Sequence, residues 1–199
     1  MIIIADIKAV FLDIDGVLNN FNKDKKIRSK SRCGNLLGID KDKVQKLARI
    51  VNQTDAEIIL TSTWKMGWEP HRKYYYAPVV NGYNYHAKYL DTHLQKKGNL
   101  TIKDKTRESD LIDRGMGIRM YLRAHPEIRY WVVLDDEIFP DFKERGIFPH
   151  LVKTDSLIGL TDADADAAIK ILNNQTQGPY YATPADIVLI KTAGPAVII

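Results

Sequence analysis

Residues 8–19, KAVFLDIDGVLN, decide how the rest of the chain is read. Residues 9–12 form a short apolar run rich in Val and Phe, the pattern of a buried strand, and it ends on Asp13 and Asp15. Alternation along a strand sends these two side chains to the same side, and Gly16 directly after them marks the start of a turn. Both acids therefore stand at the carboxyl end of a buried strand, where open α/β sheets bind their ligands. Two carboxylates there are costly unless a cation or a proton accompanies them. Asp-Gly is also a common turn dipeptide, so on these residues alone a solvated strand-end turn stays open.

The same arrangement recurs along the chain. Residues 130–134, YWVVL, are a second buried run and end on Asp135 and Asp136, a pair whose mutual repulsion favours a metal ion between them. Glu57–Leu60 ends on Thr61, Ser62, Thr63 and Trp64, delivering hydroxyls to another strand end, although hydroxyl residues also form ordinary turns. Asp40 is placed to cap a helix carrying Val44, Leu47, Ala48 and Val51, and Ala87, Leu90 and Leu94 predict a second helix over 83–98, ended by Gly98. A strand at 100–102, a polar connector at 103–107 and a helix over 109–125 closed by Pro126 are expected next. A strand at 150–153 and a helix capped by Thr161, with Asp164 completing a capping box and Ala165, Ala168, Ile169 and Leu172 inward, complete the alternation. Residues 187–190 read as an added edge strand.

VFLDIDGVLN, IILTSTWK and the DD-terminated strand together resemble the motifs of haloacid dehalogenase-like (HAD) phosphohydrolases. In detail they are similar to the small HAD domains of bacterial RNA-repair proteins and phage polynucleotide phosphatases. The resemblance implies an α/β fold, a three-layer Rossmann-like parallel sheet of order 5-4-1-2-3 with a small or absent cap. It implies Asp13 as nucleophile, Asp15 as general acid and base, and Thr61, with Ser62 as alternative, as donor to a phosphoryl group. It implies a cation near the start of the helix before the DD strand, for which Arg114 is best placed and Lys105 second. It implies Mg²⁺ as cofactor, held by Asp13, the backbone carbonyl of Asp15, and Asp135 or Asp136 or both. The expected domain spans residues 1–174, with a basic flap at 19–40, an aromatic and basic insertion at 64–99 and an extension at 175–199.

Composition bounds the rest. A chain of 199 residues, 45% hydrophobic, suits one α/β domain, and one cysteine, Cys33, excludes an internal disulfide framework. The apolar opening MIII is broken by Asp6 and Lys8, so a cytoplasmic protein without a membrane span is expected. Net charge is +4, but residues 19–46 hold nine Lys/Arg against three acids and residues 64–106 hold eight against three. Six of the ten tyrosines lie between positions 74 and 89, interleaved with cations, so Arg72, Lys73 and Tyr74 are candidates for binding phosphates and stacking on bases. Solvated lysine-rich loops and an ordinary amphipathic helix explain the same pattern. The expected substrate is a phosphorylated nucleotide or nucleic acid end. A small-metabolite phosphatase, a phosphotransferase and a non-catalytic binding module of the same fold are the alternatives.

Overall fold

The computed structural model describes residues 6–22, 38–66, 68–70, 83–107 and 113–174, with side chains in the second helix described from Ala87 onward. Elements follow in the order β1 (Ile7–Leu12), α1 (Lys41–Thr54), β2 (Glu57–Leu60), α2 (Tyr83–Gly98), β3 (Ile102–Lys105), α3 (Arg114–Ala124), β4 (Ile128–Asp135), β5 (Leu151–Lys153) and α4 (Asp162–Leu172). The strands make one sheet in the order β3-β2-β1-β4-β5, and all four pairings are parallel, as the resemblance implied. Helices on both sides complete a three-layer, Rossmann-like α/β fold.

Right-handed crossovers explain which helix lies on which side. From β1 outward to β2 and β3 the chain moves one way, placing α1 and α2 on one face; the return from β3 to β4 places α3 on the other. Side-chain burial follows the same division. Val10, Leu12, Ile58, Leu60, Val132 and Leu134 pack with α1, α2 and α4, whereas Ala9, Phe11, Ile59 and Val133 pack with Ile118 of α3. Phe11 is fully buried and meets Tyr121 and Trp131 edge-on at 5.8 and 6.0 Å, the preferred geometry for aromatic pairs. Each such side chain withdrawn from water contributes about 1.5–3 kcal/mol.

Helix ends account for much of the local agreement with sequence. Asp40 accepts the Asp42 N–H, and Thr161 with Asp164 forms a reciprocal capping box. Three boundaries differ from expectation. Residues 103–105 belong to β3, although they read as a connector, because an edge strand alternates buried and exposed positions and carries charges outward. Leu100 instead tucks beneath α2, its N–H on Leu94 O, after Asn99 takes the left-handed conformation (φ 53°). Gly98 is the last helical residue, and a Cβ there would stand 2.8 Å from Val44 Cγ1, so its role is close approach of α2 to α1. His150 lies in a 3₁₀ turn, Phe148–His150, ahead of β5. Of the helix expected over 109–125, the described part is Arg114–Ala124; residues 109–112 and 187–190 lie outside the described residues. No helix among the described residues is long and apolar enough to cross a membrane.

Candidate active site

Parallel pairing sets the site. Leu12 is in register with Leu60 and Leu134, so the next residues, Thr61, Asp13 and Asp135, stand side by side at the carboxyl ends of β2, β1 and β4. The ladder continues through them: Asp13 N–H donates to Leu134 O and Thr61 N–H to Leu12 O, both at 2.9 Å. Strand alternation turns these side chains toward the α3 face, with Phe11, Ile59 and Val133 behind them.

Arg114, the first residue of α3, meets them there. Its Nη1 donates to Asp13 Oδ1 at 2.9 Å and also to Asp135 Oδ2, while its guanidinium lies 4.2 Å over the Phe139 ring. The helix start that aims it is not capped by Asp113. Asp141, from the loop after β4, accepts the N–H groups of Gly115 and Met116 at 3.1 and 2.7 Å and supplies the negative charge a helix N-terminus favours.

Electrostatics at this edge are strained toward protonation. Burial, then the neighbouring Asp135, pushes the Asp13 carboxyl up to about 8, although Arg114 pulls the other way. Burial raises Asp135 to about 6 against the opposing pull of Arg114, and burial with Asp13 nearby raises Asp136 to about 6. Burial disfavours the Arg114 charge, but Asp135 and Asp13 more than offset that and hold its pKa above its ordinary value.

Asp13, Asp135 and Asp136 each offer a carboxylate oxygen, and these lie within 4.8 Å of one another. An all-oxygen donor set with more negative charge than one guanidinium neutralises fits a hard divalent cation such as Mg²⁺. Gly16 makes room for the Asp136 side chain. With φ +71° it turns the chain, and a Cβ at that position would stand 2.2 Å from Asp136 Oδ2.

The Asp15 side chain is outside this cluster. Trp64 Nε1–H donates to Asp15 Oδ2 at 2.9 Å and Asn19 Nδ2–H to Oδ1 at 2.8 Å. Any contact of Asp15 with a metal would therefore run through its backbone carbonyl, as the resemblance implies. The Ser62 hydroxyl pulls the Asp13 carboxyl down and, at the head of the 3₁₀ turn Thr63–Lys65, accepts the Trp64 N–H. Thr61 Oγ1 is buried with no hydrogen-bond partner among the described residues, which suits a donor reserved for a ligand.

Of the two candidates for the cation, Arg114 reaches Asp13. Lys105 Nζ is directed instead at Lys65 O (3.3 Å) and Glu69 Oε1 (3.4 Å). Arg72, Lys73 and Tyr74 lie outside the described residues. Within α2, Ala87, Leu90 and Leu94 are core residues and the tilted rings of Tyr89 and His93 lie 3.8 Å apart, so this part of the aromatic stretch serves packing. Residues not anticipated at the site are Trp64, Asn19, Asp141 and Lys65, whose fully buried Nζ donates to Thr106 Oγ1 at 2.9 Å. Lys65 and Trp64 sit inside the quoted IILTSTWK, but nothing local to that segment names their partners.

No curated protein and no solved structure matches this chain. One family does, described as the HAD domain in Swiss Army Knife RNA repair proteins, and it matches residues 9–165. With the parallel sheet order and the aspartates gathered at its carboxyl edge, the chain belongs to that HAD family.

Proposed function

We propose that this chain is a Mg²⁺-dependent phosphomonoester hydrolase working through an aspartyl-phosphate on Asp13, with a phosphorylated nucleic acid end or nucleotide as substrate. The observation that carries the reading is a division among the acids. Asp13 shares a buried cluster with Asp135 and Asp136, while Asp15, two residues on, is held apart by Trp64 and Asn19. One carboxylate is thereby available to attack and the other to move protons.

A carboxylate oxygen of Asp13 attacks phosphorus, the ester P–O bond breaks, and Asp15 gives its proton to the departing oxygen. Water then attacks phosphorus, Asp15 takes its proton, and the acyl-phosphate bond breaks to release phosphate and restore Asp13. Thr61, Ser62 and Arg114 donate hydrogen bonds to the phosphoryl oxygens as charge gathers on them. Asp13, Asp135, Asp136 and the Asp15 carbonyl would hold Mg²⁺, which would supply positive charge for the phosphoryl group and favour the ionised aspartates.

The substrate class rests on the RNA-repair description of the family and on the two basic stretches of sequence. Residues 1–174 are read as the catalytic domain, with little or no cap, and 175–199 as an extension. The single thiol suits a cytoplasmic setting. The test is release of phosphate from para-nitrophenyl phosphate and from 3′- and 5′-phosphorylated oligonucleotides, with Mg²⁺ or EDTA. Activity should need Mg²⁺ and vanish in Asp13→Asn, whose amide is a poor nucleophile and a weak ligand. Undiminished turnover by that variant would overturn the covalent mechanism.

A further inference from the structure

Asp15 is only half-buried, at the start of a turn, yet both of its carboxylate oxygens are held by donors from separate segments. Asn19 is 98% buried and cannot rotate its amide freely, because the Gly16 N–H donates to Asn19 Oδ1 at 2.9 Å. A backbone N–H requires an acceptor, so Oδ1 must face Gly16 and Nδ2–H must face Asp15. The Trp64 indole is 96% buried, lies 6.4 Å from the Tyr89 ring, and has a single ring N–H, which points at Asp15 Oδ2. Its backbone N–H is accepted by the side chain of Ser62, whose hydroxyl also acts on the Asp13 carboxyl. The turn that presents the phosphoryl-binding hydroxyls thus also carries the group that orients Asp15.

We infer that Trp64 and Asn19 are positioning residues that hold the Asp15 carboxyl toward the leaving-group oxygen, and that they set how well the enzyme handles esters of poor leaving groups. The inference rests on the reading of Asp15 as acid and base. An indole suits this task because it donates without itself titrating or accepting a proton, so it cannot divert the one Asp15 moves. Removing such an orienting contact leaves the nucleophile and the metal ligands in place. The loss should appear where proton donation matters most.

The experiment compares wild type, Trp64→Phe, Asn19→Ala and Asp15→Ala on aryl phosphates ranging from para-nitrophenyl to unsubstituted phenyl phosphate. Trp64→Phe preserves the packed ring and deletes the N–H. It should lose about 10- to 100-fold in kcat/KM on phenyl phosphate and less than about 3-fold on para-nitrophenyl phosphate, with KM little changed. Asn19→Ala should follow the same trend and Asp15→Ala should steepen it. A uniform loss across the series, or none, in Trp64→Phe while Asp15→Ala is steep would overturn the positioning role and leave the reading of Asp15 intact. A flat series in Asp15→Ala would remove that reading and the inference with it. Independently of turnover, the Trp64 indole N–H resonance, one of three in the chain, should move in Asp15→Ala; if it stays, the hydrogen bond is not made in solution and the inference fails.

Discussion

Arg114 Nη1 stands 2.9 Å from Asp13 Oδ1, and the same nitrogen also donates to Asp135. One cation from the start of a helix thus joins the ends of two adjacent strands. A cation so placed opposes the burial and mutual repulsion that push both carboxyls up, and it still presents its remaining N–H groups to a ligand.

Replacing Arg114 by Met keeps the stem volume and removes the charge. It should destabilise the protein by about 3–5 kcal/mol near neutral pH without metal, because two buried carboxylates lose their partner. Hydrolysis should fall by at least about 100-fold. Combining it with Asp135→Asn should cost less stability than the sum, since each variant removes the same contact. Urea unfolding of both single variants and the double variant reads the coupling, and strict additivity would contradict a shared pair.

The aspartate cluster makes stability depend on pH in a definite direction. Asp13 is raised from 3.8 to about 8 and Asp136 from 3.8 to about 6 by burial and mutual repulsion. The folded state then binds more protons than the unfolded state between those values, so stability falls as pH rises. This contribution is fully present below about pH 4 and lost by about pH 8. In EDTA, Asp136→Asn should therefore melt above wild type near pH 8, and the gap should close only below about pH 4. The melting shift that Mg²⁺ causes in wild type should grow over the same interval and shrink in the variant. Calorimetry at constant ionic strength checks both, and a Mg²⁺ shift independent of pH would contradict the assignment.

Gly16→Ala forces a side chain into the left-handed region and against Asp136, whose Cγ would stand 2.3 Å from the new Cβ. The backbone conformation alone costs about 1–3 kcal/mol. Because Asp136 must move away, Mg²⁺ affinity should drop in titration calorimetry as well. Unchanged affinity in a folded variant would mean that Asp136 does not contribute to the metal site.

Asp141→Ala removes the carboxylate that accepts the Gly115 and Met116 N–H groups. Loss of such a cap costs about 1–2 kcal/mol, and Arg114, anchored at the same turn, should lose its aim. Activity should then fall more than the stability loss alone explains. Activity equal to wild type at a temperature where the variant is fully folded would show that α3 holds Arg114 without this cap.

Basic residues 23, 25, 26 and 28 supply a test of substrate class. If Lys23, Lys25, Lys26 and Arg28 engage several phosphates, kcat/KM for a phosphorylated oligonucleotide should fall steeply with salt, by roughly 0.7 in logarithmic slope for each single-strand phosphate neutralised. A mononucleotide should respond weakly. Changing the four to Ser should flatten the first response. Parallel responses unaffected by the substitutions would favour a small-molecule substrate.

Strand ends bearing acids or hydroxyls, the apolar runs behind them and the caps at Asp40 and Thr161 were all legible in sequence. Each depends on residues within a few positions of one another: alternation along a strand, helical spacing, a side chain three residues from an N–H. The parallel sheet and its strand order came with the family resemblance that those motifs carry, and they obey the crossover rule. The limits of β3 were not legible, because a charged edge strand looks like a connector until its neighbour is known. The partners at the site were likewise beyond local reach. Arg114 and Asp13 are separated by 101 residues and Trp64 and Asp15 by 49; the resemblance put Arg114 ahead of Lys105 as the cation, and spacing along the chain does not by itself choose between the two. Which of them reaches the aspartates depends on strand register and on the face to which each helix returns. Sequence therefore determined which groups arrive at the carboxyl edge; only tertiary packing decided that Arg114 bridges two of the acids while Trp64 and Asn19 hold the third apart.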